Sequence, residues 1–269
     1  MPDRPDTYTH GHADSVLRSH RWRTVANSAA YLIPHLRPGI HLLDVGCGPG
    51  TITIDLARRV APGRVLGIDA APDAISAARA AADEDGVDGL EVRVADVYAL
   101  DLPDDSFDVV HAHQVLQHLG DPVAALREMR RVCRPDGVVA VRDSIYGAMS
   151  WFPDAPGLDR WLEIYDTVAV ANGGEPDAGN RLLAWARAAG FSSITCSATA
   201  WCYATPEERT WWGDLWAERS TATALADRAV ELGVATRDEL ADVADAWRQW
   251  AASDDGWFAV PCGEVIASG

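Results

Sequence analysis

The sequence predicts an α/β protein built on a doubly wound, mostly parallel sheet, and three observations carry that prediction. From residue 40 to residue 143, short apolar runs alternate with segments of helical periodicity. The runs are continuous in Val, Leu and Ile rather than alternating, as in strands buried on both faces. The first run ends in the glycine turn DVGCGPG, which opens directly on a helical segment, the order of a βαβ unit.

Taken in order, VLRSHRWRTVANSAAYL reads as a helix, whole or broken, against the sheet edge, and residues 1–38 are expected to form an N-terminal helical lid. Residues 39–144 are expected to form the nucleotide-binding core: HLLDV then ITIDLARRV, RVLGID then AISAARAAADEDG, LEVRVAD, FDVVHAH, a further helix and VVAVRD. That further helix is well punctuated. Asp121 suits the N-cap, Pro122 the first helical position, and Pro135 stops the chain from continuing it. Residues 145–177, rich in Trp, Tyr, Pro and Gly, break the rhythm, as do residues 205–255, which read as two or three amphipathic helices. These two insertions are expected to form a helical cap. Residues 178–204 (a helix, a Gly-Phe turn and an alternating strand) and 256–269 (a last strand) complete the core. With no repeat or linker, the whole of 1–269 reads as one domain.

The formal charge is −17, and all 23 basic residues are arginines. Such a surface repels phosphate backbones and anionic lipid, so neither nucleic acid nor a membrane is expected as a partner. The absence of lysine excludes lysine-based catalysis. Five cysteines with no Cys-x-x-Cys pair argue against a disulfide framework and a zinc ribbon. MPDRPDTYTHGHADS lacks the apolar core of a signal peptide, and a cytoplasmic location is expected. His10-x-His12, with His20, lacks a third ligand at a defensible spacing, so no metal is expected. The oligomeric state is left open.

The glycine turn carries the functional signal. Gly46, Gly48 and Gly50 form G-x-G-x-G, whereas a dinucleotide fingerprint places its third glycine at Thr51. Asp44 precedes the turn, as the ligand's neighbour or as an anchor of the turn itself. Asp69, 19 residues after Gly50, ends the second strand, where an acid accepts both hydroxyls of a ribose. Asp96 ends the third strand, within reach of an adenine amino group. Cys47 reads as a small packing residue rather than a nucleophile.

DVGCGPG, GID, VAD, LP-x-x-x-FD-x-V, VLQHL and RPDGVV follow one another between about residues 40 and 143. In order and spacing this set resembles the class I S-adenosylmethionine-dependent methyltransferases, in the branch similar to the ubiquinone/menaquinone-biosynthesis methyltransferases. The resemblance implies a seven-stranded sheet with an antiparallel last strand, and S-adenosyl-L-methionine as cofactor. It implies that Asp44 and the backbone of Gly46, Cys47 and Gly48 approach the methionine part of the cofactor. Asp69 would hold the ribose with Ala70 against the adenine, and Asp96 would bind the adenine amino group with Val97 supporting the ring. His113 and Gln114 would stand near the methyl donor. The chain departs from the family at Ala71, where a helix-capping serine is common.

His118 lies where related O-methyltransferases carry a catalytic histidine, and Asp143 where they carry a second acid, so the two are expected to act as a base and its orienting partner. Tyr8, His12, His20 and Arg23 are candidates for the lid, with Arg23 paired to the methionyl carboxylate. Tyr146, Trp151 and Trp201 are candidate walls of the acceptor pocket, although tryptophans at helical spacing equally read as core. The expected reaction is methyl transfer to O, N, S or C of a small organic molecule of aromatic or apolar character. A peptide acceptor, a non-catalytic binding protein and an NAD-dependent oxidoreductase are the alternatives. The missing third glycine and the absence of lysine weigh against the last.

Overall fold

The structure, a computed structural model, describes residues 22–269. Tyr8, His10, His12 and His20 of the expected lid lie outside the described residues. The described part begins with one capped turn. In α1 (Val25–Ser28), Thr24 accepts from the Asn27 N–H while the Asn27 side chain accepts from the Thr24 N–H. A 3-10 segment, Ala30–His35, follows and holds Pro34, which has no N–H with which to continue an α-helix.

The sheet has eight strands: β1 (His41–Val45), β2 (Arg64–Asp69), β3 (Leu90–Val94), β4 (Phe107–His113), β5 (Cys133–Ser144), β6 (Ser150–Phe152), β7 (Ser193–Tyr203) and β8 (Trp257–Ser268). β3, β2, β1, β4 and β5 lie side by side and parallel. β8 runs antiparallel to β5 on one edge and to β7 on the other. The eighth strand, against the expected seven, is the three-residue β6, which pairs with the start of β8.

The helices are placed by their caps. Gly50, in the left-handed region, precedes α2 (Thr51–Val60). No side chain caps α3 (Pro72–Asp85) at Ala71; instead the Asp69 carboxylate accepts the Ala71 N–H at 2.9 Å. Asp121 caps α4 (Pro122–Val132) by accepting from the Ala124 N–H at 2.9 Å. α4 and α6 (Ala178–Ala189) bury Leu126, Met129, Leu182 and Ala186 on one face of the sheet. α1 and α2 bury Val25, Leu56 and Val60 on the other. No helix of the described residues is long and apolar enough to cross a membrane.

A separate core lies over the β6 end of β8. α5 (Pro156–Ala171), α7 (Pro206–Ala222), α8 (Ala224–Glu231) and α9 (Arg237–Ala251) close around Trp161, which meets Trp216 and Trp247 edge-to-face at 4.5 and 4.9 Å between ring centroids. Capping boxes, Thr205 with Glu208 and Thr236 with Glu239, start α7 and α9.

β8 and α6 touch backbone to backbone. A Cβ on Gly263 would lie 2.2 Å from the Gly179 carbonyl oxygen, which no rotamer relieves. Gly263→Ala is therefore expected to destabilise the chain by about 3 kcal/mol, as overpacked sites do. Urea unfolding checks this, and a loss below about 1 kcal/mol would show that the helix yields freely.

Candidate active site

The carboxyl ends of β1, β2, β4 and β5 converge on one cavity of about 420 Å³. Its floor is the glycine turn. Gly46 (φ +66°), Gly48 (φ +54°) and Gly50 (φ +87°) are all left-handed, a region side chains enter at a cost. A Cβ on Gly46 would stand 2.3 Å from Val115 Cγ2. Asp69 ties two turns together: its carboxylate accepts from the Gly48 N–H at 3.0 Å and the Ala71 N–H at 2.9 Å.

Asp44 lines the cavity, yet both its oxygens face inward. His111 Nδ1 lies 2.7 Å from Oδ1, and Thr53 donates to Oδ2 at 2.6 Å. The acid thus anchors β1 to β4 and α2 beneath the turn, through side chains. Asp96 is exposed at the rim and accepts from the Tyr98 N–H at 2.9 Å. Burial first, then Asp44 and Asp69, push the Cys47 thiol well above its ordinary pKa, which leaves no thiolate for nucleophilic work.

The wall opposite the turn is polar at the strand ends and aromatic beyond. Gln114 is held left-handed at φ +54°. Its amide donates to Ser144 Oγ at 2.5 Å, while Arg23 Nη2 donates to its Oε1 at 2.5 Å. Gln114 therefore clasps the N-terminal segment to β5. His113 lies 5.6 Å from the ring of Trp201. Arg23 and Arg142 both stand over that ring, at 5.3 and 4.5 Å.

The structure gathers Arg23, Asp44, Gly46, Cys47, Gly48, Asp69, Ala70, Asp96, Val97, His113, Gln114, His118, Tyr146 and Trp201 around this cavity. Two expected residues do not line it. Trp151 stacks on Phe258 at 5.6 Å and packs against the helical core. Asp143 is fully buried behind the wall; its Oδ1 accepts from the Gln117 N–H at 3.1 Å, and Oδ2 has no partner among the described residues. It secures the turn that carries His118 rather than orienting the imidazole.

Two findings also stand against His118 as the proton acceptor. Burial first, then the charge of Arg23, push its pKa down to about 3. The Gln117 amide lies 3.0 Å from Nε2; an amide N–H₂ donates, so Nε2 accepts and the ring proton sits on Nδ1.

Burial raises the Asp143 carboxyl to about 7, against backbone donors at 115–117 and Arg142, which pull it down. The folded chain keeps this proton up to about pH 7, while an unfolded aspartic acid loses it near pH 4. The folded state thus binds more protons across that window, and stability falls as pH rises through it. Asp143→Asn is expected to remove this loss. Urea unfolding of both proteins at about pH 5 and about pH 8 should show the wild type losing about 3 kcal/mol relative to the variant; equal losses would refute it.

Sequence reasoning missed Ser144, Tyr203 and Arg219, all of which line the cavity. Tyr203 was in reach, two positions from Trp201 on an alternating strand. The left-handed glycines of the turn and the acids at the end of β2 and just after β3 fit an adenosyl sulfonium carrying a ribose and a methionine tail.

Residues 36–189 match the family described as a methyltransferase domain. An uncharacterised methyltransferase of Schizosaccharomyces pombe is 31% identical over 96% of this chain and 95% of its own. A probable methyltransferase of Aspergillus luteorubrus is 30% identical over 97% of each. A ubiquinone/menaquinone biosynthesis C-methyltransferase of Bdellovibrio bacteriovorus is 38% identical over 39% of this chain and 44% of its own. Among solved structures, the YcgJ protein of Bacillus subtilis has a TM-score of 0.60 at 18% identity, covering 90% of this chain and 98% of that one. Phosphoethanolamine N-methyltransferase 2 of Haemonchus contortus, solved with S-adenosyl-L-methionine, has a TM-score of 0.57 at 17% identity, covering 89% and 51%. The two structural likenesses show the same fold.

Proposed function

Since the chain belongs to the class I S-adenosylmethionine-dependent methyltransferases, we propose that it methylates O, N, S or C of a small organic molecule with aromatic or apolar character. The observation that carries this reading is one continuous cavity, running from the glycine turn and Asp69 to Tyr203, Trp212 and Trp216. Similarity to a relative named for quinone biosynthesis supports an aromatic acceptor. A cavity of about 420 Å³ favours a small molecule over a peptide. The charge of −17 disfavours nucleic acid, and a cytoplasmic location is part of the same reading. The family sets the oxidoreductase alternative aside.

When bound, the cofactor supplies a methyl group on a sulfonium, an electrophile that needs alignment more than activation. In our reading the Gly46–Gly48 backbone and Arg23 hold the methionine part. Asp69 turns its carboxylate to the ribose, Ala70 and Val97 flank the adenine, and Asp96 takes its amino group. His113, Gln114 and the aromatic wall exclude water from the acceptor. Tyr146 from residues 145–177, Trp212 and Trp216 from residues 205–255, and Trp201 and Tyr203 from β7 supply that wall. His118 aligns the acceptor as a hydrogen-bonding group and holds no proton of its substrate.

Calorimetry with S-adenosylmethionine and S-adenosylhomocysteine tests the reading, followed by a labelled methyl donor added to a metabolite extract. Tight binding of both and label in a low-mass product are expected. Binding of NAD in their place sinks it. His118→Ala is expected to lower turnover about tenfold, the worth of one hydrogen bond, with no pH limb lost between about pH 6 and 8. A limb near the ordinary histidine pKa, present in the wild type and absent from the variant, would restore the base.

A further inference from the structure

Gln117 lines the cavity beside His118, in the 3-10 turn Leu116–His118 that follows β4, and is 4% exposed. Its main chain is clamped on both sides. The N–H donates to Asp143 Oδ1 at 3.1 Å, and the carbonyl accepts from the Glu175 N–H at 2.9 Å. The side chain is fixed as firmly. The Ser144 backbone N–H donates to Gln117 Oε1 at 3.4 Å, while Gln117 Nε2 lies 3.0 Å from His118 Nε2. A main-chain N–H cannot accept, so the amide has one orientation. Turned over, it would set its N–H₂ against the Ser144 N–H, two donors face to face in a buried place. The backbone of β5 thus decides which atom His118 meets. Ser144 also receives the Gln114 amide on Oγ at 2.5 Å, and Gln114 Oε1 accepts from Arg23 at 2.5 Å. A guanidinium only donates, so this second amide is oriented by the same rule. One directed line of hydrogen bonds therefore runs from Arg23 through Gln114 and Ser144 to Gln117 and His118.

We propose that Gln117 is a positioning residue, which holds the His118 ring neutral with its proton on Nδ1, so that Nδ1 can donate a hydrogen bond but cannot take a proton. The proposal rests on the methyltransferase reading and deepens it, because any group set against Nδ1 must offer a lone pair. A protonated ring would have to donate from Nε2 into an amide that itself donates. Burial and the charge of Arg23 oppose that form as well. The residue type at 117 is the deciding detail. A carboxylate beside a histidine accepts the ring proton and leaves the far nitrogen free as a base. An amide held in this orientation does the reverse.

Nitrogen NMR of the imidazoles in the isotope-labelled full chain, near neutral pH, tests this directly. The His118 signals are those missing from His118→Ala. Wild type is expected to show Nδ1 protonated and Nε2 bare. Gln117→Met keeps the length of the side chain and removes its donor, so the Nδ1–H form should lose its predominance and the Nε2–H form should appear. A residue that only fills space would leave the tautomer unmoved. Gln117→Asn, too short to span Ser144 and His118, should behave like Gln117→Met and decides the matter should that variant fail to fold. A protonated ring or an Nε2–H form in wild type overturns the proposal, as does an unchanged tautomer in either folded variant. The measurement needs no cofactor. Failure of wild type to bind S-adenosylhomocysteine in calorimetry is a separate result, which would overturn the methyltransferase reading and leave the tautomer assignment standing.

Discussion

Asp69→Ala is expected to weaken S-adenosylhomocysteine binding about 100-fold. Two hydrogen bonds donated by ribose hydroxyls to a carboxylate are each worth about 1.5–3 kcal/mol, and about 3 kcal/mol in total corresponds to that factor. The carboxylate also has a second task. It accepts from the Gly48 and Ala71 N–H groups, so its removal loosens the turn after β1 and the start of α3 together. Asp69→Asn keeps one acceptor oxygen and should lose about tenfold. Calorimetry on both variants checks the order, and an affinity within about threefold of wild type in Asp69→Ala would refute the role.

The second large effect concerns the helical core. Trp161 is 2% exposed and lies among Tyr146, Tyr165, Trp216, Trp247 and Phe258. Trp161→Ala is expected to cost about 3–5 kcal/mol, the range for a buried aromatic truncated to a methyl group. Its indole N–H has no partner among the described residues, an unmet donor that itself carries a penalty. Trp161→Phe gives up volume but removes that donor, so it should cost about 1 kcal/mol. Because this core is distinct from the two that flank the sheet, S-adenosylhomocysteine binding should survive in Trp161→Ala at low temperature. Denaturant curves followed beside calorimetry test this, and equal losses for the two variants would show that packing around Trp161 is loose.

The parallel half of the sheet was legible because burial on both faces leaves uninterrupted apolar runs, and because β1 ends in a glycine turn and β2 in an acid. β6 was not, since three residues are too few to show a period. Which way a residue faces was the main loss. Asp143 and Ser144 are neighbours at the end of β5, and alternation sends them to opposite sides, so only Ser144 lines the cavity. A position at a strand end does not disclose that parity. Trp151 was misplaced for the same reason, because its side follows from the pairing of β6 with Phe258. Arg219 was hidden differently. α7 buries Arg209, Trp212, Trp216 and Arg219 among its residues, so polarity does not separate its inner face from its outer one. The spacing of Trp212, Trp216 and Arg219 at i, i+4 and i+7 was the available clue.

The contact between Gly263 and Gly179 reaches further than packing. A Cβ on Gly179 would also fall 2.6 Å from the Asp143 carbonyl oxygen, so α6 seals the strand that carries the buried carboxyl. Two absent methyl groups thus keep water from Asp143, and its retained proton becomes a gauge of how closely the helix is seated. Any change that lifts α6 hydrates that carboxyl and lets it ionise at a lower pH.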